Sequence, residues 1–387
     1  HCMNYLITIN QPFPHRTPYP FSALTIRFLS TLALWCLLLA PAPSAQAGSG
    51  DDQIAAALAD LISCGQLELV TMEAQKPLLL QREFCLAAIY QKIGIQPLWV
   101  SAAGPGPTAG IIIDRLRRSY LEGLNPDDYD VSLIESLWTT DRPDELARLD
   151  TLLTYNLATY IHDISYGQLK LHQADPELFA AAGNTGFDPI QAIQVALSVE
   201  DLGAYLDSLP PQHHYYVSLK EALEHYRLLA VDAQWPHIPP GPLIRPGDSD
   251  PRLITVAARL AATEPMISAD PIPTDHYHAQ LVDAIEAFQY RHGLNPDGII
   301  GPQTLAMLNR TPADFAAVIR ANLARWRWQD HRISDTYLMV NIAAFRIKAV
   351  MNNQVIHDLP VIVGKFQHQT PVFPIRSAIS ISIRFGM

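Results

Sequence analysis

Four prolines within seven residues, Pro236, Pro239, Pro240 and Pro242, set the strongest constraint on how this chain folds. Proline lacks the amide hydrogen and pushes its predecessor into extended geometry, so no helix or central strand runs through Pro236-His237-Ile238-Pro239-Pro240-Gly241-Pro242. The segment reads as a domain boundary, and its two sides differ. From Asp51 to about Val231, apolar residues recur at three-and-four spacing between polar turns, the pattern of a helical domain. Ile111, Ile112, Leu116 and Tyr120 form one stripe that stops at Gly123, a residue able to take the left-handed conformation past a helix end. A short helix is expected from Val131 to Trp138. Leu149, Leu152, Leu153, Tyr155, Leu157, Tyr160 and Ile161 form a third stripe that continues to Tyr166-Gly167.

Beyond the prolines, Pro251 to Ala262 and His278 to Gly293 predict two amphipathic helices, and Gly301-Pro302 opens a third. Asp297-Gly298 predicts a tight turn between them, with Phe288, Leu294, Ile299, Leu305 and Leu308 as a shared core. Thr311 to Trp328 predicts a fourth helix, read as a connector outside the small bundle. After Asp335 the apolar period changes from helical to two. Strands are expected at Tyr337–Asn341, Phe345–Val350, Gln354–Asp358 and Leu359–Val363, with Asn352-Asn353 as a hairpin turn. Only 24 residues follow Val363, too few to close a sheet over its own core.

Charge and cysteine usage narrow the setting. Lys and Arg total 27 against 38 Asp and Glu, a formal charge of −11, and no basic cluster exceeds Arg115, Arg117 and Arg118. Nucleic acid is excluded as an expected partner. Arg16 and Arg27 precede an apolar run from Phe28 to Ala40, followed by Pro-Ala-Pro-Ser and Ala45-Gln46-Ala47, the order of a secretory signal peptide over residues 1–47. Thirteen residues at helical rise reach about 20 Å, short of a hydrocarbon core of roughly 30 Å. An uncleaved inner-membrane anchor is the alternative. Of four cysteines, Cys2 and Cys36 fall in that leader, and Cys64 and Cys85 remain. In an oxidising compartment these two can pair across a loop of about 20 residues, worth roughly 3 kcal/mol; two buried thiols are the other reading. His276-x-His278 reads as surface sequence, and no metal or cofactor is expected.

Ala287-Phe288-Gln289-Tyr290-Arg291-His292-Gly293-Leu294 and Asp297-Gly298-Ile299-Ile300-Gly301-Pro302-Gln303-Thr304-Leu305, preceded by Arg245-Pro246-Gly247-Asp248-Ser249-Asp250-Pro251, resemble the three-helix peptidoglycan-binding-like module of bacterial wall enzymes. Such modules bind wall glycan or peptide in some families and serve as scaffold in others. Ile319-Arg320, Asn322-Leu323 and Arg325-Trp326-Arg327-Trp328, then Val340-Asn341-Ile342, Val361-Ile362-Val363-Gly364-Lys365 and Thr370-Pro371-Val372-Phe373, resemble the start of the catalytic domain of the large murein L,D-transpeptidases. Ile89 to Tyr129, with Pro97-Leu98-Trp99-Val100 and Glu122-Gly123-Leu124-Asn125-Pro126-Asp127-Asp128-Tyr129, is similar to the helical scaffold domain those enzymes carry first.

The resemblance implies an α+β protein: signal peptide 1–47, mainly helical scaffold domain 48–235, three-helix bundle 243–310, connector helix 311–335 and an incomplete mainly-β catalytic segment 336–387. It implies acyl transfer, in which a cysteine thiolate attacks a stem peptide, releases D-alanine and forms 3-3 cross-links. It places the protein in the periplasm of a Gram-negative bacterium, with peptidoglycan stem peptides or glycan as partners and other cell-wall synthases as further ones. Phe288, Gln289, Tyr290, Asp297 and Thr304 are the implied wall-binding residues.

The family carries its nucleophile on a Ser-His-Gly-Cys-x-Arg motif, and no cysteine follows Cys85 in this sequence. No catalytic residue is therefore assigned. His357 and His368 match no catalytic position. Codons permitted for Pro374 to Gly386, read two nucleotides later, give Asp-Pro-Ile-Ser-Tyr-Ile-Asn-Phe-Asn-Pro-Phe-Trp, the kind of sequence the family has there, so a frameshift after Phe373 is expected. A non-catalytic wall-binding or scaffold protein of the envelope is the competing function, and an adaptor for a wall hydrolase is a third.

Overall fold

A computed structural model describes residues 4–7, 49–63, 85–168, 186–232, 235, 237–263, 275–328, 333–342 and 344–364. Within them the protein is α+β and mainly helical, with twelve α-helices. The first core is built around α5 (Pro143–Tyr166), which has Pro143 in its first turn and Asp144 and Glu145 beside the positive end of its dipole. From Leu146 to Ile161 every side chain but Arg148 is buried, so α5 is a central helix rather than an amphipathic surface one. Against it pack α1 (Ser49–Ser63), α2 (Leu86–Ile93), α3 (Pro107–Arg117), α4 (Val131–Ser136) and α6 (Pro189–Ser198); α7 (Leu202–Ser208) touches α3 and α6. Of the stripe expected on α3, Ile112 and Leu116 are buried and Ile111 is not. Ala109, Ile112, Ile113 and Leu116 are buried, whereas Ile111 is 39% exposed, because the helix faces both α5 and the following 3-10 turn Arg118–Glu122. Gly123 ends that turn at φ 73°, as its position in the stripe predicts.

A second core lies between α8 (His214–Asp232), α12 (Pro312–Arg327) and a sheet. Tyr216, Leu223, Ala316, Ile319, Leu323 and Trp326 meet Tyr337, Met339 and Val350 there. α12, expected as a connector outside the small bundle, contributes no buried residue to the three-helix core and packs in this layer, which sequence period does not reveal because both roles show the same apolar stripe. Thr311 caps α12 with Asp314 in a reciprocal capping box. The sheet order is β1 (Asn4–Ile7), β4 (Tyr337–Asn341), β5 (Arg346–Met351), β6 (Gln354–Pro360), all antiparallel. Asn352 and Asn353 take φ 51° and 60°, the turn chemistry expected of that hairpin. Gln354–Asp358 and Leu359–Val363, expected as two strands, merge into one that ends at Pro360. Tyr5 pairs with Val340, so four residues of the expected leader lie on the edge of β4. The rest of residues 1–47, the cysteine Cys64, and everything after Gly364, including His368, lie outside the described residues. A separate short hairpin pairs β2 (Val100–Ser101) with β3 (Gly104–Pro105).

The third core belongs to α9 (Arg252–Thr263), α10 (Ala279–Arg291) and α11 (Pro302–Leu308). Leu253, Val256, Leu260, Leu281, Ile285, Phe288 and Leu308 fill it. Ile300 is buried with them, while its neighbour Ile299 is only half-buried. No described helix is long and apolar enough to cross a membrane.

Candidate functional site

In the third unit the turn between α10 and α11 is organised by one amide. Gln289, 1% exposed, directs Nε2 at Asp297 Oδ1 (3.1 Å), the Ile299 carbonyl (3.0 Å) and Thr304 Oγ1 (3.1 Å). Its Oε1 accepts from the Gly298 amide at 2.9 Å, and the Gly298 carbonyl accepts from the Tyr277 hydroxyl at 2.5 Å. Asp297 Oδ1 also accepts from the Ile299 amide at 2.9 Å, and that bond chiefly holds the carboxyl below its ordinary range. Of the five implied wall-binding residues, the structure therefore gathers Gln289, Asp297 and Thr304 around this turn. Phe288 points into the core. Tyr290, 77% exposed, stands on the surface with its ring free to stack on a flat apolar face such as that of a sugar.

Gly298 sits at φ 67°, and a Cβ there would lie 2.9 Å from Val282 Cγ1 and 3.2 Å from Glu286 Oε1. Gly298→Val is expected to cost about 1–3 kcal/mol from backbone strain alone, with the crowding added. Thermal unfolding should register it, and an unchanged midpoint would count against the turn as the module's pin. Tyr277, buried between two histidines, escaped the sequence reading because His-Tyr-His looks like surface.

A second polar cluster lies inside the first core. Asp150 on α5 accepts from the Tyr90 hydroxyl (2.6 Å) and from the amides of Leu98 (2.9 Å) and Trp99 (2.7 Å), while Trp99 Nε1 donates to Thr154 Oγ1 at 2.8 Å. Burial pushes the Asp150 carboxyl up to about 6 against those hydrogen bonds. These bonds seat the Pro97-Leu98-Trp99-Val100 segment on the central helix. Cys85 is an exposed free cysteine just before α2, and its expected partner Cys64 lies outside the described residues. His357 is exposed on β6. Among the described residues no group of three or more His, Cys, Asp or Glu could hold a metal ion.

Two family models match the chain. Residues 85–223 match a scaffold domain, of the kind found in L,D-transpeptidases, and residues 251–308 match a putative peptidoglycan binding domain. The first covers α2 to the middle of α8, and the second covers the Gln289 turn with all three of its helices. No curated protein matches the chain. Fold and domains together define a mainly helical, peptidoglycan-associated protein.

Proposed function

We propose that this is a murein L,D-transpeptidase-type protein, exported to the periplasm of a Gram-negative bacterium, that binds peptidoglycan through the module containing Tyr290. The observation that carries the reading is the presence, on one chain and in this order, of a scaffold domain and a peptidoglycan-binding domain followed by a sheet. In the proposed reaction a thiolate would attack the stem peptide and backbone amides would stabilise the oxyanion. This sequence holds no thiol after Cys85, which lies at the start of the scaffold match, so the chain as written is expected to bind wall polymer without transferring acyl groups. Tyr290 would contribute by stacking.

Purified peptidoglycan sacculi should co-sediment the full chain, and Tyr290→Ala should weaken that binding about tenfold, the loss of one aromatic stack. Incubation with a carbapenem followed by intact-mass spectrometry should show no acyl adduct. An adduct at Cys85 or Cys64 together with 3-3 cross-linking would move the chemistry into the scaffold and overturn the binding-only reading.

A further inference from the structure

The peptidoglycan-binding match falls between two helices that pack on each other. α8 precedes it, α12 follows it, and both belong to the second core. The two ends of the intervening segment are tied together. Trp235 Nε1 donates to the Arg310 carbonyl at 3.0 Å, the Ile238 amide donates to Asn309 Oδ1 at 2.8 Å, and Asn309 Nδ2 donates back to the Ile238 carbonyl at 2.9 Å. Little chain is left for slack. α8 ends at Asp232 and the neck begins at Trp235; Arg310 is followed at once by the Thr311 cap of α12.

Beside the neck runs a ladder of rings contributed by all three helices. Tyr226 of α8 stacks on Phe315 of α12 with centroids 5.0 Å apart, Phe315 lies 5.4 Å from His292 at the end of α10, and His292 lies 4.3 Å from Phe288 in the module core. A module carried on a flexible tether would need neither the paired neck nor the ladder. We infer that residues 237–310 form an insertion clamped onto the α8–α12 pair by the Tyr226–Phe315–His292 ladder, so that a ligand on the Tyr290 surface is held at one fixed bearing to the β-sheet. The placement follows from the contacts alone and stands whether or not the ligand is peptidoglycan.

The test is a distance distribution between two spin labels in the full chain, one on native Cys85 and one on Asp283→Cys, an exposed α10 position, with Cys2, Cys36 and Cys64 changed to serine. The intact chain should give one narrow distribution. Phe315→Ala should widen it about twofold, as freed linkers allow, with the helical circular dichroism unchanged. Should Phe315→Ala unfold the helix pair, Tyr226→Ala removes the other half of the stack and should widen the distribution in the same way. A broad distribution in the parent chain, or a narrow one that survives both substitutions in folded protein, would overturn the clamp. Failure of sacculus binding by the parent chain would instead count against the ligand and leave the clamp standing.

Discussion

Replacing Arg327 by alanine is expected to lower stability by about 3 kcal/mol, among the larger effects a single residue of this chain can have. Arg327 ends α12 and is 2% exposed. Its Nη2 donates to the Glu122 carbonyl, and its Nε donates to the Tyr216 hydroxyl at 3.2 Å. Tyr216 in turn donates to Glu122 Oε2 at 2.8 Å, and Lys220 pairs with the other carboxylate oxygen. The arginine thus joins α12 to α8 and to the 3-10 turn of the first core. Its removal would leave the buried Glu122 carbonyl and the Tyr216 hydroxyl without the donor that the guanidinium supplies to each, in place of a satisfied network. Beside it, Gly123 lets α12 approach closely: a Cβ there would sit 3.1 Å from Leu323 Cδ1 and 3.2 Å from Arg320 Cγ. Urea unfolding followed by tryptophan fluorescence would measure the loss. Arg327→Lys should recover only part of it, since one ammonium does not reproduce the fork that reaches both acceptors. A midpoint unchanged in Arg327→Ala would show that the two cores do not depend on this contact.

Asp150 should give the protein a stability that falls as pH rises through the acid range. The carboxyl titrates near 3.9 when unfolded and is raised to about 6 in the fold, with burial the largest cause. The folded state therefore holds the proton more tightly. Its contribution is fully present below pH about 4 and is lost as pH rises through about 6, amounting to roughly 3 kcal/mol for a shift of about two units. Asp150→Asn should remove this slope: the amide oxygen can still accept from Leu98 and Trp99, and the amide nitrogen can donate to the Tyr90 or Thr154 oxygen. At neutral pH it should be more stable than the parent. Asp150→Ala should also lose the slope, but it leaves the Leu98 and Trp99 amides unpaired, at a cost of about 1–3 kcal/mol that Asp150→Asn avoids. Urea midpoints at about pH 4.5 and 7.5 for the three proteins decide it. A parent slope that persists in Asp150→Asn would assign it to other groups.

The sequence by itself determined the features that depend on a few neighbouring residues. Pro143, Pro302 and the Thr311–Asp314 box start helices, Gly123 and Gly298 take positive φ, and Asn352-Asn353 turns the hairpin, because each follows from the steric and hydrogen-bonding chemistry of a short stretch of backbone. The candidate module was legible for the same reason, since its turn and its helix starts are local. What surrounds each element was not. The stripe on α12 announced a buried face but not that α8 covers it, and nothing near Arg327 in the chain points to its acceptor Glu122, 205 residues away. Gln289 read as a binding residue, while the fold spends its amide on Asp297, Gly298, Ile299 and Thr304. Periodicity reports that a face is buried, whereas the identity of what buries it, and whether a polar group there is satisfied, is decided only when distant segments meet.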